Sequence, residues 1–293
     1  MNKSLCMRLK STENLGMKNI FARVSVMLCL FIMSSVVSAS FHKQIWPQWE
    51  VHNPLSKDVI SHQEWQDFLT RCVITNEEHI TLVDYPNLKD SDLEILQNYI
   101  NRLSHINIQN YNRKEQLAFW INLYNALTVQ IVADYYPIDS IQDVNISPGL
   151  FNVGPWGANL VTIDGTQLSL DDIQNRIIRP IWNDPRTIYA LHHATIGGAN
   201  LSKDAYQGKT VGKQLNKAAY EYINSLRGLQ LIEGKLIVSK IYYWFLDDFG
   251  GNANGLIHHL SQYAKEPLRT HLKKINTINS YIYNWHLNST VGT

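Results

Sequence analysis

The segment from Lys114 to Tyr135 constrains the fold more than any other part of the chain, because it is helical in period and apolar on nearly every side. With about 100° of rotation per residue, one broad face carries Leu117, Trp120, Ile121, Tyr124, Leu127, Thr128, Ile131, Val132 and Tyr135. The opposite side is mostly alanine and valine, and the narrow stripe suited to water consists of Gln116, Gln130 and Asp134. A helix that is apolar all round is buried, so we expect this one to be central and to stop before Pro137.

The composition fits an ordinary globular protein and excludes several other classes. Hydrophobic residues make up 45% of the 293 residues and charged residues 17%, which is too apolar for a disordered chain. The formal net charge of +1 supplies no concentrated positive field for phosphates, so we expect no nucleic-acid partner.

Further patterns predict more helix than strand. Residues 61–71 and 90–104 have helical periodicity. The apolar runs around Asp164-Gly165 and Glu233-Gly234 are typical of β-hairpins, and the β-formers of residues 187–194 predict a buried strand. The expected fold class is therefore α+β: a single helix-rich domain with a small, mostly antiparallel sheet around a central buried helix. We expect residues 40–110 to form a helical N-terminal cap region and residues 111–288 to form the core.

A shorter helix is expected to begin after Ser169. Ser169 and Asp172 have the spacing of a capping box, and Pro180 is expected to close the helix. Asp171, Asp172 and Arg176 are interpreted as helix-capping and surface-paired residues, since acidic groups suit the first turn and Asp172 precedes Arg176 by four residues.

The first 39 residues have the pattern of a secretory signal peptide. Two basic residues precede the apolar run of residues 24–37, and residues 37–39 (Val-Ser-Ala) match a cleavage site before Ser40. The run is shorter than the roughly 20 residues of a membrane span, and Met17 would be a better-proportioned start than Met1. We therefore expect a periplasmic or secreted protein with no stable membrane span after cleavage. An uncleaved signal anchor is the alternative.

Cysteine usage is consistent with a fold that needs no cross-link. Of the three cysteines, only Cys72 would remain after cleavage, so no internal disulfide could form. Cys72 follows apolar residues of a predicted amphipathic helix, and we interpret it as a buried, unreactive thiol.

Two asparagines stand away from the water-facing stripe of the central helix, and they are the first candidate site residues. Asn122 and Asn125 need hydrogen-bond partners in the interior, because an unpaired buried polar group costs about 1–3 kcal/mol. One interpretation is that they tie the helix to neighbouring loops. The other is that they line a cleft beside Tyr124 and present their amides to a ligand.

The predicted strand carries the second group of candidates. His192 and His193 would point to opposite faces, so one of them could enter a cleft as a general base. Arg186 opens the strand, where a cation needs a carboxylate or a ligand, and Asp247-Asp248 could supply that carboxylate.

Several familiar chemistries leave no pattern in the sequence. HExxH and CxxC metal-ligand spacings, GxGxxG and GxxxxGK[ST] phosphate loops and the GxSxG nucleophile turn are all missing from it. We therefore predict no metal and no cofactor. The turn at Gly197-Gly198 could hold an anion through free main-chain amides.

Four separate motifs stand in a recognisable order along the chain. They are Phe-Trp-Ile-Asn-Leu-Tyr-Asn-Ala-Leu-Thr at residues 119–128, Leu-Ser-Leu-Asp-Asp-Ile at 168–173, Asp-Pro-Arg at 184–186, and Val-Ser-Lys-Ile-Tyr with Trp-Phe and Asp-Phe-Gly within 238–250. In these motifs the chain resembles the bacterial family catalogued as domain of unknown function 547, over about residues 80–288. Many members resemble exported proteins, and the family name itself records an unassigned activity.

One segment departs from the family's pattern. Members typically show a stretch like Asn-Cys-Ala-Ser-Ile-Gly-Cys-Pro-Asn-Leu, and residues 192–201 stand in its place here. The family's two cysteines then fall on His193 and Gly198, and its proline on Ala199, so no disulfide or thiol role can be carried over. A looser similarity in outline to the transglutaminase and papain-like class meets the same obstacle, because the helix offers Asn122 and no cysteine.

Two hypotheses follow. The favoured one is an exported binding or scaffold protein whose cleft holds a small molecule, peptide, glycan or anion, with the contacts Asn122, Tyr124, Asn125, Arg186 and Trp244. The alternative is a hydrolase-like enzyme with His192 or His193 as base and Asp247 or Asp248 orienting it. Binding is favoured because no nucleophile stands at a recognisable spacing from a base.

Overall fold

The computed structural model describes residues 43–149 and 152–291. The predicted signal peptide over residues 1–39 and its cleavage site lie outside the described residues. The described part has more helix than strand, with the strands in small and mostly antiparallel sheets, so the prediction of a single α+β domain is confirmed. Within the described ranges, no helix has the length and apolar character that a membrane span requires.

The described helices and strands alternate irregularly along the chain. The helices are α1 (Gln63–Cys72), α2 (Asp90–Ser104), α3 (Arg113–Tyr135), α4 (Arg179–Trp182), α5 (Val211–Ile223), α6 (Ile241–Trp244), α7 (Ala253–Tyr263) and α8 (Leu268–Leu272). The strands are β1 (Val73–Thr75), β2 (Thr81–Val83), β3 (Val161–Ile163), β4 (Thr166–Leu168), β5 (Leu229–Ile232), β6 (Lys235–Ser239) and β7 (Ser280–Ile282).

The central helix predicted from the apolar pattern is α3. Its N-terminus is capped by Asn112, whose side chain accepts hydrogen bonds from the main-chain N–H groups of the second and third helical residues. Every side chain from Glu115 to Val129 is buried, and the helix ends two residues before Pro137. Gln116, expected to face water, is buried because its amide donates to the carbonyls of Val51 and Ile108 at 2.9 and 3.0 Å.

The predicted helices of the N-terminal region surround α3. Helix α1 packs on α2, and α2 packs on α3. One hydrophobic core joins Phe68 of α1 and Leu96 of α2 to the side chains of α3, and Cys72 is buried in it as expected. A second hydrophobic cluster lies around α5, α7 and the sheet of β5 and β6.

Both predicted hairpins are present. Strands β3 and β4 pair antiparallel across Asp164-Gly165, and β5 pairs with β6 across Glu233-Gly234. Strand β7 runs parallel to β6 on its other side, so the C-terminal part of the chain is held beside the second hairpin. This pairing brings residues 283–285, which follow β7, next to α6.

The strand predicted over residues 187–194 is wrong. Residues Pro185–Tyr189 form a 3-10 helix, and turns follow it. Asp184 favours this short helix, because its side chain accepts a hydrogen bond from the main-chain N–H of Arg186 at 3.0 Å while Thr187 Oγ1 donates to its carbonyl at 2.8 Å. These local hydrogen bonds and a proline at the first helical position outweigh the β-propensity of the segment.

The helix expected after Ser169 begins as predicted and ends later. Asp172 accepts hydrogen bonds from the main-chain N–H and the hydroxyl of Ser169, as in a capping box. The chain continues as a π-helix over Asp172–Ile178 and then as α4, in which Pro180 stands in the first turn. The prediction that Pro180 closes the helix is wrong, because the helical backbone runs on from the π-turns across Pro180 to Trp182.

Candidate functional site

Both asparagines of α3 are bound to main chain. Asn122 Nδ2 donates to the carbonyl of Tyr206 at 2.8 Å, and the N–H of Tyr206 donates back to Asn122 Oδ1 at 2.9 Å. Asn125 Nδ2 donates to the carbonyl of Ala190 at 2.9 Å, and the N–H of His192 donates to Asn125 Oδ1 at 2.8 Å. Both amides therefore tie α3 to loops, and Asn125 fixes the backbone immediately before His193.

His192 lies in the interior. Within the described residues, neither of its ring nitrogens has a hydrogen-bond partner. Burial lowers the pKa of His192 to about 3, so its imidazole is neutral near pH 7.

Arg186 has a different partner from the one expected. Its Nε donates to Asp184 Oδ1 at 2.9 Å, and its Nη1 donates to Asn216 Oδ1 at 2.6 Å. Asp248 is occupied elsewhere, since it accepts from Arg179 Nε at 2.8 Å and pairs with Lys43 Nζ at 2.7 Å. Arg186 therefore finds its carboxylate two residues earlier in the chain rather than at residues 247–248.

A cleft of about 370 Å³ collects polar and aromatic side chains from five separate parts of the chain. Its aromatic side consists of Trp156, Trp244, Phe245, Tyr283 and Trp285. Its polar side includes Asp171, Gln174 and His193. We call this site the aromatic cleft. Of the residues predicted from the sequence, it contains His193 and Trp244, and Tyr124 packs beside it with its ring 6.3 Å from that of His193. Asn122, Asn125, Arg186, His192, Asp247 and Asp248 do not line it.

The aromatic rings form one contiguous surface. The ring centroid of Trp285 lies 4.7 Å from that of Tyr283, 5.3 Å from that of Trp244 and 6.1 Å from that of Trp156. The Trp244 and Tyr283 centroids are 4.9 Å apart. All four of these contacts are edge-to-face or tilted, and edge-to-face contact is a favourable geometry for aromatic pairs.

Asp171 is the carboxylate of the cleft. Asp172 is the residue that caps the helix at Ser169, so the side chain of Asp171 takes no part in the capping box. Its Oδ1 accepts a long hydrogen bond of 3.3 Å from Asn175 Nδ2, and its main-chain N–H donates to the carbonyl of Trp156 at 2.9 Å. Burial, and to a lesser extent the neighbouring charge of Asp172, raises the pKa of Asp171 from 3.8 to about 6.

Gln174 and His193 present buried polar atoms that have no partner. Gln174 is 3% exposed, and its Nε2 has no hydrogen-bond acceptor among the described residues, while its Oε1 accepts a long hydrogen bond of 3.4 Å from Tyr124 Oη. His193 Nδ1 is likewise buried without a partner in the described part of the chain. Burial lowers the pKa of His193 to about 4, so this imidazole is neutral at pH 7. Each unpaired buried group costs about 1–3 kcal/mol, and a ligand that pairs with it recovers that cost.

The backbone around Gln174 is unusual. Gln174 lies in the π-helix Asp172–Ile178, a geometry that is rare and is found often at functional sites. The π-helix begins at Asp172, the same residue that accepts the capping hydrogen bonds of Ser169.

A second cavity of about 410 Å³ has a different character. It is lined by charged side chains of both signs, and Lys217 pairs there with Asp204 at 3.8 Å. Arg227 in the same cavity donates to the carbonyls of Ile196 and Gly198 at 3.2 and 2.8 Å. Its charges are largely directed at the protein itself, and none of the sequence-predicted residues lies in it.

The described residues were also compared with what metal and anion sites require. Among residues 43–149 and 152–291, no group of three or more His, Cys, Asp or Glu side chains is placed to hold a metal ion. The main-chain N–H groups expected to hold an anion are already bonded, since Gly197 donates to Asn284 and Gly198 to Thr195. These two amides of the turn are therefore not free to bind an anion.

These features define an α+β protein with an aromatic, partly polar cleft beside a buried helix. Residues 108–223 match the family described as protein of unknown function, DUF547. The match spans α3, the π-helix and His193, and it supports the resemblance that the sequence motifs indicated. Searches of the curated proteins and of the solved structures found no match.

Sequence reasoning missed four of the residues that make the cleft. The sequence interpretation assigns Asp171 to helix capping. Only Asp172 is hydrogen-bonded to Ser169 in the capping box, so Asp171 is not needed there. Gln174, Trp156 and Trp285 carry no pattern that separates them from ordinary polar and aromatic residues, because they reach the cleft only through tertiary contacts.

Proposed function

We propose that this protein is an exported binding protein whose aromatic cleft holds a small organic ligand. The observation that carries the proposal is that two buried, unpartnered polar atoms, Gln174 Nε2 and His193 Nδ1, belong to residues that line one aromatic-walled cavity. Binding sites typically combine an apolar lining with a few convergent polar groups, and their volumes begin at about 300 Å³. The pattern of residues 1–39 supports export.

The test is a ligand screen on the protein produced from its full coding sequence. Thermal-shift measurements against peptides, neutral glycan fragments and small amines should find a compound that raises the melting temperature, because binding to the folded state stabilises it. Titration calorimetry then measures the dissociation constant. If no compound in the three classes binds, the proposal fails.

A matched pair of variants locates the binding. Gln174→Leu removes the unpartnered amide and should weaken binding about fivefold to tenfold, which is the value of one hydrogen bond. Gln116→Leu removes an equally buried amide whose donors are both satisfied outside the cleft. It should lower the melting temperature and leave the dissociation constant unchanged. A ligand that is unaffected by Gln174→Leu binds elsewhere and overturns the assignment of the cleft.

A second candidate function is acid–base catalysis in the same cleft, and one observation favours it. A carboxyl group whose pKa is about 6, such as that of Asp171, can both release and accept a proton near neutral pH. His193 in the same cleft is neutral at that pH. Turnover of an ester, amide or glycoside that is lost in Asp171→Asn while binding persists would favour this function. If no compound that binds is turned over, catalysis is excluded for those compounds and only the binding function remains.

A further inference from the structure

We propose that the ligand of the aromatic cleft is an organic cation, an amine or a methylated ammonium group, that pairs with Asp171 against the aromatic rings. This inference rests on the proposed binding function and names the chemical class of the ligand. Four features of the described cleft lead to it: an excess of negative charge, a carboxylate with an unfilled acceptor, a continuous aromatic surface and an unpartnered amide donor.

The charge of the cleft is negative. Asp171 is its carboxylate, and no Lys or Arg side chain is among the described residues that line it. The neighbouring Asp172 adds a second negative charge, which its own partner Arg176 offsets at 3.3 Å. His193 is neutral near pH 7 and does not act as a counter-ion. A small anion is therefore disfavoured, and a cation would recover part of the cost of burying the Asp171 carboxylate.

The carboxylate has room for a further donor. Asp171 Oδ1 receives one long hydrogen bond, from Asn175, and in the described residues no donor approaches Oδ2. A charge-assisted hydrogen bond from an ammonium N–H, or direct contact with a methylated ammonium group, would complete its surroundings.

The aromatic surface favours the same class of ligand. The negative faces of indole and phenol rings attract cations, most strongly where water is excluded, and such rings recognise quaternary ammonium groups. The amine of Lys240 already lies 6.0 Å from the Trp244 ring centroid, although Lys240 does not line the cleft. Trp285 and Tyr283 complete the aromatic surface of the cleft.

The unpartnered amide adds a second requirement. Gln174 Nε2 is a donor, so the ligand should carry a hydrogen-bond acceptor such as a hydroxyl, carbonyl or carboxylate oxygen beside its cationic nitrogen. A neutral sugar would satisfy Gln174 through its hydroxyl groups and leave the partly buried negative charge of Asp171 without a counter-ion. The charge therefore favours the amine over the glycan.

The experiment compares a cation with its neutral isostere. Choline and 3,3-dimethylbutan-1-ol have the same shape and the same hydroxyl group and differ in the charge of the central atom. Titration calorimetry of the protein at pH 7.5 should give a dissociation constant for choline that is at least about tenfold lower than for the isostere. Ethanolamine and tetramethylammonium complete the series with a primary amine and a cation that has no acceptor.

Variants and pH identify the group responsible. Asp171→Asn should remove the preference for the cation, whereas Asp204→Asn, at an exposed carboxylate outside the cleft, should leave it unchanged. Choline should bind more weakly at pH 5 than at pH 7.5, because Asp171 takes up a proton between them. Asp172 and Tyr124 interact electrostatically with Asp171, and the other titratable side chains that line the cleft with it are His193 and Tyr283. Arg176 is paired with Asp172, His193 stays neutral in this range, and burial keeps both tyrosines neutral.

The outcomes separate this inference from the proposed function. Equal binding of choline and its isostere, or a cation preference that survives Asp171→Asn, overturns the inference. Binding of a neutral glycan or peptide to the cleft with no binding of any amine also overturns it and leaves the proposed function standing. If no compound of any class binds the cleft, both fail.

Discussion

Among single residues, Asp171 destabilises the folded state when its carboxyl group is ionised. Its raised pKa means that the folded state holds the proton more tightly than the unfolded chain does. The cost of ionising the partly buried carboxyl is therefore fully present above about pH 6 and disappears as the pH falls below 3.8. A rise in pKa from 3.8 to about 6 corresponds to about 3 kcal/mol at most.

We predict that Asp171→Asn is more stable than the wild type at pH 7.5, because the amide keeps an oxygen for Asn175 and carries no charge. Urea unfolding should show a gain of up to about 3 kcal/mol that shrinks between pH 6 and pH 4. A variant that is less stable at pH 7.5, or a gain that does not depend on pH, would contradict the environment described for this carboxyl.

Asn125 has the opposite role, since its amide satisfies two main-chain groups. We predict that Asn125→Leu destabilises the protein by about 1–3 kcal/mol for each group left unpaired, the carbonyl of Ala190 and the N–H of His192. The free energy of unfolding in urea measures the loss. Asn159→Ala, at an exposed asparagine, should change it by less than about 0.5 kcal/mol. Equal stability of the two variants would show that the amide of Asn125 does not hold the loop before His193.

At the scale of elements, a buried ion pair connects α4 to the segment Leu246–Phe249. The side chains of Arg179 and Asp248 are 1% and 4% exposed, and Arg179 also donates to Asn175 Oδ1 at 2.7 Å. Asn175 in turn contacts Asp171, so the pair supports the backbone from which the cleft presents its carboxylate.

We predict that Asp248→Asn lowers the free energy of unfolding by about 3–5 kcal/mol, because the buried guanidinium of Arg179 then loses the negative charge of the Asp248 carboxylate. The matched change Asp204→Asn removes an exposed carboxylate that lies 3.8 Å from Lys217, and it should cost at most about 1 kcal/mol. If the free energy of unfolding falls by similar amounts in the two variants, burial of the Arg179–Asp248 pair does not increase its contribution to stability.

The element-scale errors of the sequence interpretation have a common cause. Residues 187–194 contain β-formers, yet Asp184 and Pro185 begin a 3-10 helix there and Asn125 holds its end. Pro180 is a helix breaker in isolation and is accommodated where a π-helix passes into α4. Propensity is a weak preference, and specific hydrogen bonds from neighbouring or distant residues outweigh it.

For the described molecule as a whole, four histidines are neutral near pH 7 because of burial. Burial is the largest cause that lowers the pKa of His192 to about 3 and those of His62, His193 and His259 to about 4. The unfolded chain therefore binds more protons than the folded one below about pH 6.5, and unfolding takes up protons.

We predict that the protein loses stability as the pH falls from about 6.5 towards 4, by at most about 1.4 kcal/mol per pH unit for each histidine, with Asp171 opposing part of the loss. Urea unfolding at successive pH values measures the slope. His192→Leu should reduce the slope by about one proton, since it removes an imidazole whose nitrogens are unpaired in the described interior. The matched control His286→Asn alters an exposed histidine and should leave the slope unchanged. A stability that is level between pH 7 and pH 5 would show that these imidazoles are not buried in neutral form.

Features with local causes could be predicted from the sequence alone. The apolar period of residues 114–135 required a buried central helix, Asp164-Gly165 and Glu233-Gly234 required hairpins, and the Ser169 to Asp172 spacing set the capping box. Each depends on residues a few positions apart, where spacing and turn chemistry suffice. The aromatic cleft, in contrast, could not be predicted from the sequence, because its residues come together only in the folded chain. Asp171, His193, Trp244 and Trp285 are separated by tens of residues, and they meet because long-range packing on α3 and the parallel pairing of β7 with β6 bring their segments together.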